Sequence, residues 1–154
     1  MDQAVFLLSA FTQLLRHANP DTPRAWGKMD MQQMVEHMSD SFRMANGKDL
    51  QTCVTPAEQL EKMKAFLMSD KPFRPNTPNS QMPDTPPAHR NSTYAAAIDE
   101  LQREIDDFFV AFNQEPGKII TNPFFGDLNF VQWQQLLTKH CEHHLRQFNL
   151  QANN

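Results

Sequence analysis

His140 and His144 stand four residues apart in the run Lys139-His140-Cys141-Glu142-His143-His144-Leu145-Arg146-Gln147-Phe148. On an α-helix, residues at i and i+4 lie one above the other, so two imidazoles so placed can grip one metal ion. Trp133, Leu137, His140, His144 and Phe148 are spaced by four, three, four and four, which is the stripe a helix buries. A buried imidazole needs a polar partner. His37, on a second helical segment among Met34, Met38 and Ser41, is expected to face inward too. Three imidazole nitrogens from His37, His140 and His144 suit a divalent Zn, Ni or Fe ion and leave at least one coordination position open. An open position admits water or substrate and marks a catalytic site rather than a structural one. The plainer alternative is that a His-x-x-x-His pair is structural and that His37 is a satisfied core histidine.

Other groups carry less. Asp40, nearly one turn after His37, and His143, about 100° around the helix from His144, are the candidate catalytic residues. Glu36 and Arg146 are further candidate helpers, although charged side chains are mostly solvated. His143 is expected at the surface or as a hydrogen-bond donor behind the ligands. His17, near the end of the first helix, complements the helix dipole; His89 lies in a proline-rich stretch from which it could swing toward the site. Metalloprotease signatures fail, because Cys141 follows His140 where glutamate is needed and Gln33 stands where an inverted motif needs histidine. Cys53 and Cys141 form no Cys-x-x-Cys pair. Cys141 has no charged activator and is expected to be a small buried filler.

Four long helical segments and one short one must position these groups. The first runs from about Asp2 to His17 with the stripe Val5, Leu8, Phe11 and Leu15, and the Asn19–Pro23 cluster ends it. The second runs from about Met31 to Ala45, with Asp30 and Gln33 forming a capping box and Asn46-Gly47 a stop. Thr55-Pro56-Ala57-Glu58 starts a short helix with threonine as its cap. Residues 69–91 hold six of the eleven prolines and are expected to form an ordered crossover or lid. The third long helix runs from about Thr93 to Asn113, capped by Asn91 or Ser92, with Tyr94, Ile98, Leu101, Ile105, Phe108, Phe109 and Phe112 facing inward. Gln114–Leu128 is expected to be loop, and Asn129 with Gln132 caps the fourth long helix to about Phe148. Short connections join antiparallel neighbours and a long one permits a parallel pair. The expected fold is therefore all-α: a four-helix bundle with one long crossover between helices 2 and 3, formed by residues 1–154 as a single domain.

Fourteen basic against 18 acidic residues give a net charge of −4. No Lys/Arg cluster marks a nucleic-acid footprint. The N-terminal stretch has no basic region followed by an apolar run and cleavage site, and no apolar run approaches the roughly 20 residues of a membrane span. With two cysteines, a reduced cytoplasm is the expected location. Nine Met and twelve Phe point to a soft, aromatic core. The Phe-rich third helix could bury a homodimer interface or be ordinary core.

The stretch Trp26-Gly27-Lys28-Met29-Asp30 through Glu36-His37-Met38 resembles the second-helix signature of the DinB/YfiT-like superfamily of metal-dependent enzymes. The run His140-Cys141-Glu142-His143-His144-Leu145-Arg146-Gln147-Phe148 resembles that superfamily's last helix. Asn122-Pro123-Phe124-Phe125-Gly126 followed by Trp133 looks most like a branch known only as a domain of unknown function. The resemblance implies the same ligands, His37, His140 and His144. It also implies thiol-dependent S-transferases using low-molecular-weight thiols, or hydrolases, acting on small molecules. One position departs: Asn122 stands where the branch commonly has histidine.

Overall fold

The computed structural model describes residues 1–77, 79 and 82–150. Among these residues lie five helices and one two-stranded hairpin. Helix α1 is a single rod in three pieces: Gln3–Val5 and Phe11–His17 are α-helical, and Phe6–Ala10 between them is π-helical. Asp2 caps it by accepting from the amides of Ala4 and Val5. The π turn takes in an extra residue and rotates the faces on either side of it. The expected stripe is therefore shifted. Leu7, Phe11 and Leu15 are buried, whereas Val5 is 54% and Leu8 39% exposed.

Helix α2 (Met31–Ala45) has the expected capping box: Asp30 accepts from the Gln33 amide, and the Gln33 side chain accepts from the Asp30 amide. Helix α3 (Ala57–Met68) has no side-chain cap. Thr55, expected to cap it, instead donates to the Phe124 carbonyl at 2.7 Å, because tertiary contact with the later loop outcompetes the local cap. Helix α4 (Tyr94–Gln114) is capped by Thr93, which accepts from the Ala96 amide. Asn91 and Ser92 do not serve, since Asn91 is held by Glu36. Helix α5 (Phe130–Gln147) has the Asn129–Gln132 capping box.

Residues 114–128 are more than loop. Strands β1 (Ile120–Asn122) and β2 (Gly126–Leu128) pair antiparallel, with Ile120 opposite Leu128. Gly126, at φ +75°, lies where a Cβ would press on Leu60 at 3.3 Å. The Trp133 indole donates to the Ile120 carbonyl at 3.0 Å and fastens the hairpin to α5.

Hydrogen bonds across helices give the directions of packing. Gln32 bonds the Asn91 carbonyl, Asn46 bonds Glu104, and Lys48 reaches Asp107. Numbers rise together, so α2 and α4, the most extensive helix pair, run parallel, as a long crossover permits. Thr12 meets Gln102 and Arg16 meets Asp99, so α1 lies antiparallel to α4. One connected apolar core gathers Phe11, Met34, Met38, Phe42, Leu101, Phe108, Trp133 and Phe148 with their neighbours. The structure is thus mostly helical with a small sheet. No helix among the described residues is long and apolar enough to cross a membrane. Of the crossover, Pro78, Ser80 and Gln81 lie outside the described residues.

Candidate metal centre

Helices α2 and α5 bring three imidazoles to one point. The Nε2 atom of His140 lies 3.0 Å from Nε2 of His37 and 3.0 Å from Nε2 of His144. One ring nitrogen from each histidine falls within 4.8 Å of the other two. Metal–imidazole bonds of about 2.0–2.1 Å place neighbouring ligand nitrogens about 2.8–3.4 Å apart, between right-angle and tetrahedral geometry. The two spacings to His140 fall in that range, and the three histidines could hold a metal ion.

Electrostatics favour the ligating form. Burial, reinforced by the nearby His143, lowers the His37 pKa to about 4. His140 and His144 are pushed well below the ordinary imidazole value by burial and then by mutual repulsion among the histidines. Each shift favours the neutral imidazole, and neutral imidazole is the form that binds metal.

The surroundings come from several parts of the chain. His144, only 5% exposed, points its Nδ1 at Oε1 of Gln147, 2.7 Å away. Phe73, from the start of the crossover, packs edge-on against His140 and His143 with centroids at 6.5 and 6.1 Å. Trp26, from the loop before α2, lies 5.5 Å from the His143 ring. Lys139, buried next to His140, donates to the carbonyls of Phe66 and Lys71 at 2.8 and 2.7 Å and covers the Phe66 ring at 4.5 Å. It thereby ties α5 to the segment that leads to Phe73. Burial lowers its pKa despite Asp70 and Glu142.

The remaining candidates fall differently. His143 is half-buried between Trp26, Phe73 and His144, and a hydrogen bond with the Phe73 backbone raises its pKa against the lowering by burial and Arg146. It is not at the surface. The enclosed Nη2 atom of Arg146 has no hydrogen-bond partner among the described residues. Asp40 forms an ion pair with Arg90 at 2.9 Å, and burial raises its pKa against the pull of that guanidinium. Glu36 is no solvated helper: it is 6% exposed. Its carboxylate accepts from the backbone amides of Arg90 at 3.0 Å and Asn91 at 2.8 Å, and from the Asn91 side chain at 2.9 Å. Burial alone would raise its pKa, but these bonds and one from Gln32 outweigh it, so the pKa is lowered. His89 pairs with Asp30 at 2.7 Å, and His17 bonds the Gln13 carbonyl at 2.7 Å. Cys141 is fully buried and its thiol pKa is pushed up by burial, as a filler requires.

Sequence reasoning missed Phe73, Lys139 and Gln147 at the site. Gln147 left one signal, its position three residues after His144 and so on the same helix face. Phe73 and Lys139 left none, because their contacts join distant segments. Asn122 also has a role that its departure from the expected histidine did not suggest. Its side-chain oxygen accepts from the amides of Phe124 and Phe125 at 2.8 and 3.0 Å, holding the hairpin turn closed.

No curated protein and no solved structure matches the chain. A family's sequence model, described as "Protein of unknown function (DUF1569)", matches residues 7–151. Because that match spans nearly the whole length, the chain belongs to this family of unknown function.

Proposed function

We propose that residues 1–154 form a single DinB-like helical bundle whose His37, His140 and His144 hold a divalent zinc, nickel or iron ion, and that the protein is a metal-dependent enzyme acting on a small electrophile. The observation that carries this reading is the convergence of three imidazoles from two helices, with His140 Nε2 3.0 Å from Nε2 of both His37 and His144 and all three ligand nitrogens within 4.8 Å of one another. When bound, the ion supplies a positive charge that lowers the pKa of a thiol or water in its open position and makes a nucleophile available near neutral pH. The chain's residues supply the rest. Three uncharged rings leave the ion's charge uncompensated, which strengthens its effect on the nucleophile. Phe73 and Trp26, packed around His143, give the surroundings of the histidines an apolar, aromatic character suited to a small organic electrophile and its thiol donor. S-transfer with a low-molecular-weight thiol and hydrolysis are the two reactions this arrangement serves.

A non-catalytic metal- or ligand-binding role is favoured by one observation. Glu36 and Asp40, the carboxylates on the His37 helix, are engaged with the crossover and Arg90, so neither stands free as a general base.

Metal analysis of tag-free protein tests the reading, with near-stoichiometric zinc, nickel or iron expected in the wild type and lost in His37→Ala. Metal-free protein from metal-replete cells would overturn it. Incubation with electrophiles, with and without bacterial thiols, then separates the reactions. Turnover that requires thiol marks a transferase, and turnover without it a hydrolase. Tight metal binding with no turnover, on any electrophile, marks the binding role.

A further inference from the structure

We propose that Gln147 is a positioning residue that sets the tautomer of His144, and that the turn at Trp26–Gly27 holds Gln147 for this purpose. The inference rests on the metal reading for its consequence but not for its geometry. The side-chain amide of Gln147 has two neighbours of fixed polarity. Its Nε2 donates to the Trp26 carbonyl at 3.0 Å, and a carbonyl can only accept. The amide's orientation is thereby settled, and its Oε1 is the atom facing Nδ1 of His144 at 2.7 Å. An amide oxygen also can only accept, so Nδ1 of His144 must carry the proton. A neutral imidazole that donates through Nδ1 has its lone pair on Nε2. That Nε2 atom is the one 3.0 Å from Nε2 of His140.

The backbone is shaped to keep Gln147 in place. The Ala25 amide donates to the Gln147 carbonyl at 2.7 Å, so residues 25–27 grip both the main chain and the side chain of this residue. Gly27 has φ +79°, and a Cβ there would come within 2.8 Å of the Gln147 Nε2 atom. Glycine therefore serves twice, for the left-handed turn and for the close approach of the amide. Gln147 is 3% exposed, so water does not compete for its bonds. Hydrogen-bond partners behind a ligand histidine fix its ring and tautomer, and their loss typically weakens metal affinity about 10- to 100-fold.

Two measurements decide the matter. Long-range 1H–15N correlation spectra of the metal-free protein read the tautomer directly. His144 is expected to show the Nδ1–H pattern in the wild type and to gain Nε2–H character in Gln147→Leu. Cobalt(II) titration by absorbance is expected to show affinity about 10- to 100-fold weaker in Gln147→Leu, and a smaller loss in Gln147→Glu, whose carboxylate still accepts from Nδ1 but sets an acceptor against the Trp26 carbonyl. Gly27→Ala should weaken binding in the direction of Gln147→Leu, and urea unfolding confirms that each variant is folded. A wild-type His144 protonated at Nε2, or a Gln147→Leu protein with unchanged tautomer and unchanged cobalt affinity, would overturn the assignment. If the wild type binds no cobalt yet loses the Nδ1–H pattern in Gln147→Leu, the metal reading fails and this assignment stands.

Discussion

Replacing Glu36 with alanine should cost more stability than its single position on α2 suggests. The carboxylate gathers two backbone amides, at Arg90 and Asn91, and the Asn91 side chain. It thereby pins the end of the crossover to α2. Hydrogen bonds to a charged acceptor contribute about 1.5–3 kcal/mol each, and buried donors left unpaired carry a desolvation penalty. These terms are not additive and water will reach some of the freed amides, so the expected total is about 3 kcal/mol. For a chain of this length that lowers the thermal midpoint by about 6–12 °C. Arg90→Ala is the contrasting variant. It removes half-exposed ion pairs to Asp40 and Glu100 but keeps the backbone amide that Glu36 holds, so its expected cost is about 1 kcal/mol or less. The acid dependence carries a sign. The pKa of Glu36 is lowered from its ordinary 4.5 in the folded protein, so its contribution is complete above the unfolded value and is lost as pH falls through the folded one. Urea unfolding of wild type and Glu36→Ala at pH 7, and then in steps down to about pH 3, should show two curves that converge in acid. A cost below about 0.5 kcal/mol at pH 7, or a cost that does not shrink in acid, would refute the clamp.

Three further outcomes are expected. Zinc at about 100 times its Kd should stabilise the protein by about 2.7 kcal/mol and raise the midpoint by about 5–11 °C; calorimetry should find no such rise in His37→Ala. Asn122→Ala should cost about 1–2 kcal/mol by leaving the Phe124 and Phe125 amides unpaired, whereas Asn122→Asp, which keeps an acceptor, should cost less in the same urea assay. Lys139→Met preserves the buried stem but frees the carbonyls of Phe66 and Lys71, so hydrogen exchange should speed up in residues 69–73 before any change is seen in α4.

Much of the local structure was legible in the sequence. Capping boxes at Asp30–Gln33 and Asn129–Gln132, and the stripe from Trp133 to Phe148, are encoded by residues within a few turns of each other. Helical hydrogen bonding and the 3.6-residue period act over that same range. His37, His140 and His144 were named from this periodicity, and the fold brings their nitrogens together. The first helix departs from that regular period. Its π turn is a single extra residue in the winding, invisible to a count that assumes regular geometry, and it moves Leu7 inward in place of Val5 and Leu8. The hairpin at 120–128 also went unseen, because two three-residue strands have no periodicity to read.

What the chain's own order determined, then, is where its helices start and which of their faces are apolar, since those depend on neighbours along the sequence. Which polar group answers which was decided only by the folded arrangement. Glu36 finds the amides at 90 and 91, Lys139 finds the carbonyls at 66 and 71, and Gln147 lies between His144 and Trp26. Except for the local step from Gln147 to His144, these pairs are separated by dozens of residues. Each buried donor and acceptor must be matched in the compact state, and that requirement leaves no local pattern to read.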